Sequence, residues 1–338
     1  MAQVGTLNQK ASTRPGAALL EAFLPPLIGG LLILITLIGL IGTAIKNPQP
    51  HDIPVGLVGP AQAVQQVSSS FATAAPGAFQ FTTYTSEQDA RAALDSRTVD
   101  GVLVLGAASP RLIVAGAAGD APMGVMTAAF TNVFKAQGAA LAVETMHPFA
   151  GGDAHGLVLF FVVVAALIAA LVAQVLILVS GTGAGLGSRL AFLLVFAALV
   201  GLAGMGTAEW IVGGYGDGFW AAAGLVALAA AAVGAVVGGL GRLLGPAGIA
   251  LAALVAVLLD LVSSGGPVGS QLLPDFYRWL APWMPAGQVY SGMRGALFFD
   301  GAAVATPIVV LTGWLVAGLA LMWLGDLVAA RGRKAVAA

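Results

Sequence analysis

Long intervals without a single charge dominate this chain. They matter because a helix needs roughly 20 apolar residues to cross a hydrocarbon core about 30 Å thick. Only 9% of the 338 residues are charged, 59% are hydrophobic, and the mean hydropathy is +0.95. Soluble proteins carry about a quarter charged residues, so a water-soluble globule of this length could not cover its surface with this supply. The chain therefore reads as an α-helical polytopic membrane protein. Its six transmembrane helices are expected at residues 24–45, 156–180, 190–211, 218–240, 244–263 and 303–325.

Between the first two spans lies a polar stretch, 46–155, which holds most of the acidic residues. Short cytoplasmic loops keep Lys and Arg. Lys10, Arg14, Arg189, Arg242, Arg331, Arg333 and Lys334 all fall on one side of a six-span chain, and the opposite loop, 213–217, has no basic residue. This orientation makes the N-terminal residues 1–23 and the tail 326–338 cytoplasmic. It places 46–155 and 264–302 outside a bacterial plasma membrane, with Arg278 and Arg294 as basic exceptions. The first apolar run follows more than twenty residues that include Lys10, Arg14 and Glu21, which suits a retained anchor better than a cleaved signal.

The 14 basic and 15 acidic residues nearly cancel, so no basic face argues for nucleic acid. With no cysteine, disulfides, thiolate zinc sites and cysteine nucleophiles are excluded. A P-loop needs a Gly-Lys pair, but the lysines follow Gln9, Ile45, Phe134 and Arg333. Any ATP hydrolysis therefore belongs to a separate subunit. The glycine-rich run 181–187 lacks GxGxxG spacing and follows no strand, so it reads as a flexible loop. Neither a G-x-S-x-G elbow nor H-E-x-x-H occurs. His147, Asp153 and His155 could hold a metal ion, but a solvated junction between domain and membrane explains them better. No catalytic residue, cofactor or metal is expected.

The 46–155 stretch reads as a small α/β domain. Ile53, Val55 and Leu57 alternate as in a strand, and Val64, Val67 and Phe71 recur at helical spacing. A second strand fits residues 79–84. Ser86 with Asp89 forms a capping box for a helix through Arg97, which leads into a strand at 102–105. Residues 111–114 add a strand, and 121–143 suggests a long helix descending into the second span.

In the 264–302 piece, Phe276, Trp279, Leu280 and Trp283 occupy one face of a short helix opened by Pro274, with rings suited to the headgroup layer. Asp275 and Arg278 are spaced for an ion pair. A second short helix, from about Gly287 to Phe299, carries Tyr290 and Arg294. Together they suggest a re-entrant or interfacial hairpin between the fifth and sixth spans. Asp260 is an acid inside an apolar run, about 5 Å from its end at the helical rise. At mid-bilayer such a group costs about 3 kcal/mol, which makes it a functional candidate, although at a helix end it can snorkel. Glu209 has the same ambiguity. Gln174 suits an interhelical hydrogen bond, and Gly234 with Gly238 forms a GxxxG face, within one subunit or between two.

The order of parts resembles the second type of ABC-transporter permease, in its YhgE/Pip (phage infection protein) branch. The likeness lies in residues 53–58 (Ile-Pro-Val-Gly-Leu-Val) and in the run 273–285 (Leu-Pro-Asp-Phe-Tyr-Arg-Trp-Leu-Ala-Pro-Trp-Met-Pro), with Tyr290 and Arg294 following. Many relatives have a polar Asn/Asp–Gly turn after the first strand, where this chain has Gly59 and Pro60. The resemblance implies a half-transporter that pairs with a second copy or a paralogue and with a cytoplasmic ATPase, moving an amphipathic or lipid-like substrate outward. It also implies an amphipathic elbow at residues 14–24. Gly181, Gly183, Gly185, Gly187 and Arg189 would be the ATPase-coupling loop, and Asp260, Phe276, Arg278, Trp279, Trp283, Tyr290 and Arg294 the pathway or gate. A non-transporting surface scaffold that binds an envelope partner or phage is the alternative. Ion-coupled transport through Asp260 is a third.

Overall fold

The computed structural model describes residues 15–106, 109–181 and 185–337. It divides into two units, one ending at Thr43 and the other beginning at Ala44. In the first unit, α1 (Pro15–Ile45) is one uninterrupted helix that contains the apolar segment Leu27–Ile45. The elbow expected at residues 14–24 is not a separate element, because the helix runs through it from Pro15 onward. Arg14 lies outside the described residues.

The second unit opens with a five-stranded sheet. Strands β1 (Ile53–Val58), β2 (Phe79–Tyr84), β3 (Gly101–Val104), β4 (Arg111–Ala115) and β5 (Ala142–Met146) lie in the order β2-β1-β3-β4-β5. The β2-β1-β3 pairs and β4-β5 are parallel, and β3-β4 is antiparallel. Parallel neighbours require crossovers. These are α2 (Ala61–Ala74), α3 (Glu87–Asp95) and α4 (Asp120–Ala136). Val64, Val67 and Phe71 are the buried stripe of α2, and Phe71 meets Phe130 of α4 with ring centroids 4.5 Å apart. Ser86 caps α3 by accepting the Asp89 N–H.

Two expectations fail here. The α3 helix stops at Asp95, and Arg97 takes a left-handed φ of 60° that turns the chain toward β3. No long helix descends from 121 to 143. The α4 helix ends at Ala136, Gly138 turns the chain at φ 75°, and β5 follows. The β5 strand is held in register on β4, and its Glu144 receives Arg91 at 2.7 Å, so sheet pairing outweighs the helical pattern.

The remainder is a helical bundle. Its long members are α5 (Leu157–Val179), α6 (Leu186–Val212), α7 (Phe219–Leu244) and α12 (Ala305–Ala337). The fifth span is composite: α8 (Pro246–Ala253), a π-helical segment (Leu254–Leu259) and α9 (Asp260–Ser263) follow without a break. Among the described residues, six helical segments are long and apolar enough to cross a membrane. The α7 helix continues past the break expected at Gly241 and Arg242 and ends at Gly245, where φ is 62° and Pro246 starts the next helix. The α12 helix likewise continues to Ala337, so the expected tail 326–338 is helical over its described part.

Neighbours surround α7, and this explains its composition. A helix buried all round has no face for bulky side chains if the backbones are to approach closely. Ala222, Ala223, Ala229, Ala230, Ala231, Ala232 and Ala235 are all buried. The GxxxG face closes within this chain: Gly238 lies against Gln174 of α5, and a methyl at Gly239 would stand 2.5 Å from Cβ of Leu321 on α12. Gly239→Val should therefore lower stability by about 1–3 kcal/mol through overpacking. Gly224→Ala, on the same helix but with nothing within 4 Å, should leave it unchanged or slightly raised. Thermal melting of both variants in detergent checks this.

Candidate functional site

Between α9 and α12 the chain builds two short helices, α10 (Asp275–Leu280) and α11 (Pro285–Phe298). Proline opens α11 at no hydrogen-bonding cost, because first-turn N–H groups lack intrahelical partners. The next N–H, from Ala286, donates to Oδ1 of Asp260 at 2.7 Å. Asp260 is fully buried, and its Oδ2 has no partner among the described residues. The carboxylate neither snorkels nor lines an open channel. It caps a helix from another part of the chain. The π-helical segment just before it adds a residue to a turn, which resets the angular position of the residues that follow.

One side of α11 belongs to the bundle, where Ala286, Val289, Tyr290 and Met293 join its core. The Tyr290 hydroxyl donates to the Gly156 carbonyl at 3.1 Å, at the start of α5. The other side of α11 is bound to the sheet domain. Arg97 donates to the Ser291 carbonyl at 2.8 Å and to its Oγ at 3.1 Å. Arg294 donates to the Ala118 carbonyl. Further along the junction, Gln271 donates to Asp100 at 3.1 Å, and Arg278 bridges Asp52 at 2.7 Å and Asp275 at 3.1 Å. Leu272 and Phe299 are buried in the sheet domain's own core.

These contacts enclose a cleft of about 490 Å³, lined by Asp52, Arg97, Asp100, Arg278, Tyr290 and Arg294, among others. Its electrostatics are unbalanced. Arg278 has two carboxylates, whereas neither Arg97 nor Arg294 has one within ion-pair distance among the described residues. Both are instead placed over rings, Arg294 at 4.6 Å from the Tyr290 centroid and Arg97 at 5.1 Å from Phe299. Burial, with the neighbouring Arg294 charge, pushes Arg97 down to about 10. Burial also pushes Asp100 up to about 6, and the opposing pull of Arg294 and Arg97 does not cancel it. Two cations thus share the field of one reluctant anion.

The structure separates the seven expected gate residues. Arg278, Tyr290 and Arg294 come together in the cleft, and Asp260 supports α11 from behind. Phe276, Trp279 and Trp283 are 56%, 67% and 62% exposed and do not line the cleft. Arg97, Asp100, Asp52 and Ser291 escaped the sequence reading. Asp52, the Arg97–Asp100 segment and Ser291 lie far apart along the chain, in loops and on a helix face whose meeting no local spacing signals.

The loop expected at 181–189 is shorter than its expected bounds, because α6 starts at Leu186. Gly187 and Arg189 lie in the first turn of α6, Gly181 follows α5, Gly185 precedes α6, and Gly183 lies outside the described residues. Because α6 starts at Leu186, the Arg189 side chain turns inward and is buried, bonded to Asp326 of α12, which also receives Arg242 at 3.0 Å. His147, Asp153 and His155 are likewise separate. His147 pairs with Asp95 at 2.7 Å and His155 with Asp120 at 3.0 Å, while Asp153 accepts N–H groups at the start of α5. Glu209 closes the turn after α6 by accepting from the N–H groups of Gly214 and Tyr215, both at 3.1 Å.

The chain matches no family model, no curated protein and no solved structure.

Asp260→Leu removes the α11 cap and should lower stability by about 1–2 kcal/mol. Asp260→Asn keeps an acceptor oxygen and should melt close to wild type. Equal losses in both, by thermal melting in detergent, would show that the charge and not the cap is what matters.

Proposed function

We propose that this chain is the membrane-spanning subunit of an ABC-type exporter, moving an amphipathic or lipid-like substrate outward with energy from a separate ATPase. In this reading the sheet domain is extracytoplasmic, α10 and α11 form a re-entrant gate, and the aromatic face of α10 lies in the outer headgroup layer. The observation that carries it is the double membership of α11. One helix is packed in the bundle core and also bound through Arg97 and Arg294 to the sheet domain. Motion between bundle and domain must then open or close the cleft beside it.

Charge placement supports the orientation. The sheet-domain end of the bundle presents Trp210, Trp220, Trp279 and Trp283, all strongly exposed, as interfacial rings are. Arg189, Arg242 and Arg331 lie toward the opposite ends of α6, α7 and α12, the side that short basic segments keep cytoplasmic. With no native cysteine, the topology is directly testable. In intact cells, Ser69→Cys in α2 should react with a membrane-impermeant maleimide, and Arg331→Cys should react only after permeabilisation. The reverse pattern would invert the protein and remove the exporter reading.

Purification from native membranes should bring down a stoichiometric nucleotide-hydrolysing subunit. Its ATPase rate in liposomes should depend on this chain. Recovery of envelope proteins alone would favour the scaffold reading and discard transport.

A further inference from the structure

The cleft has a chemical preference that its shape alone does not reveal. Arg97 and Arg294 line the same cleft, where the Arg294 charge disfavours that of Arg97, and they meet protein mainly through backbone carbonyls. A guanidinium has five N–H donors. Arg294 bonds only through Nη1, its Nε is buried without an acceptor, and its Nη2 has no acceptor among the described residues. A buried donor without an acceptor is costly, and the Arg294 Nη2, left free, gives an oxyanion in the cleft one charge-assisted contact beside the Arg97 charge. Ala281 and Pro282, in the lining of the cleft, give it an apolar rim, and Trp279 and Trp283, which flank them in the sequence, are exposed. A charged pocket therefore opens next to an apolar edge.

We infer that this cleft binds the oxyanion head of an anionic amphiphile between Arg97 and Arg294, with the apolar part leaving over the Ala281–Pro282 rim. The inference rests on the gate reading above and narrows its substrate to anionic molecules. Asp100 is the built-in competitor. Its carboxylate supplies the counter-charge while the cleft is empty, and an arriving anion must coexist with it. Neutralising Asp100 should tighten anion binding, whereas neutralising either arginine should weaken it.

The test uses the full chain in phosphatidylcholine nanodiscs with increasing phosphatidylglycerol, reading retained lipid by native mass spectrometry. A parallel titration with inorganic phosphate is read by thermal stability. Phosphatidylglycerol should be retained over phosphatidylcholine by about tenfold, and Arg97→Gln and Arg294→Gln should each erase about tenfold of that preference, the worth of one charged hydrogen bond. Arg331→Gln, exposed and outside the cleft, should change nothing. Asp100→Asn should raise retention severalfold, and it decides the matter if the arginine variants fail to fold.

Stabilisation by phosphate without lipid preference, lost in Arg294→Gln, would assign the same oxyanion chemistry to a soluble ligand. Equal retention of the two lipids together with no phosphate effect would overturn the inference, as would retention unchanged by the cleft variants. Selective binding without ATPase-dependent transport would overturn only the transport reading, and transport with unselective binding only this one.

Discussion

A helix that begins inside protein must find acceptors for its first N–H groups, and in this chain one buried carboxylate supplies one. Asp260 reaches from the end of the fifth span to the Ala286 N–H, and α11 starts at that point. The rest of the junction depends on where α11 begins. Its start sets which residues face the bundle, which face the sheet domain, and how Tyr290 and Arg294 stand in the cleft. Since Ser291 and Arg294 also engage the sheet domain, a shift in the cap would be felt at contacts reaching Arg97 and Ala118. An acid in an apolar run is expensive unless it is hydrogen-bonded, and here the bond is made to a group that needs it equally.

The junction above α11 is polar where the bundle below is not. Arg278 has two carboxylates, while Arg97 and Arg294 share a field with Asp100 alone. The acid's burial works against its charge, and the two cations, bonded to Ser291 and Ala118, have no carboxylate within ion-pair distance among the described residues, so the charges here are not matched. At the far end of the bundle the arrangement is the opposite. Asp326 holds both Arg189 and Arg242, so the charges there are internally matched and tie α6, α7 and α12 together.

Small residues govern the space between those two ends. With neighbours on every side of its central turns, α7 accepts alanine and glycine there where an amphipathic helix would carry leucine, and contact with α12 is close enough to exclude a methyl at Gly239. Such packing compensates for the weak hydrophobic drive between helices in lipid. The GxxxG face is therefore used up inside the chain, against Gln174, and is not available as a subunit contact.

By itself the sequence determined the membrane segments, the strands at 53–58 and 79–84, the α2 stripe and the α3 cap, because hydrophobic run length, periodicity and capping chemistry are local properties. It also singled out Asp260, Arg278 and Arg294 as unusual, since a charge in a sparsely charged context stands out without any partner, whereas Tyr290 came forward only through the family resemblance. It misread 121–143, where strand pairing overrode a helical pattern, and the 181–189 loop, where Asp326, 137 residues beyond Arg189, draws that side chain inward. Only the tertiary structure decided that Arg97 and Asp100 join Ser291 and Arg294 in one cleft, that Asp260 caps α11, and that Phe276, Trp279 and Trp283 are exposed while Tyr277 is buried. Those outcomes depend on pairings between residues as much as 194 positions apart, and electrostatic and packing partnerships over such distances leave no trace in local spacing.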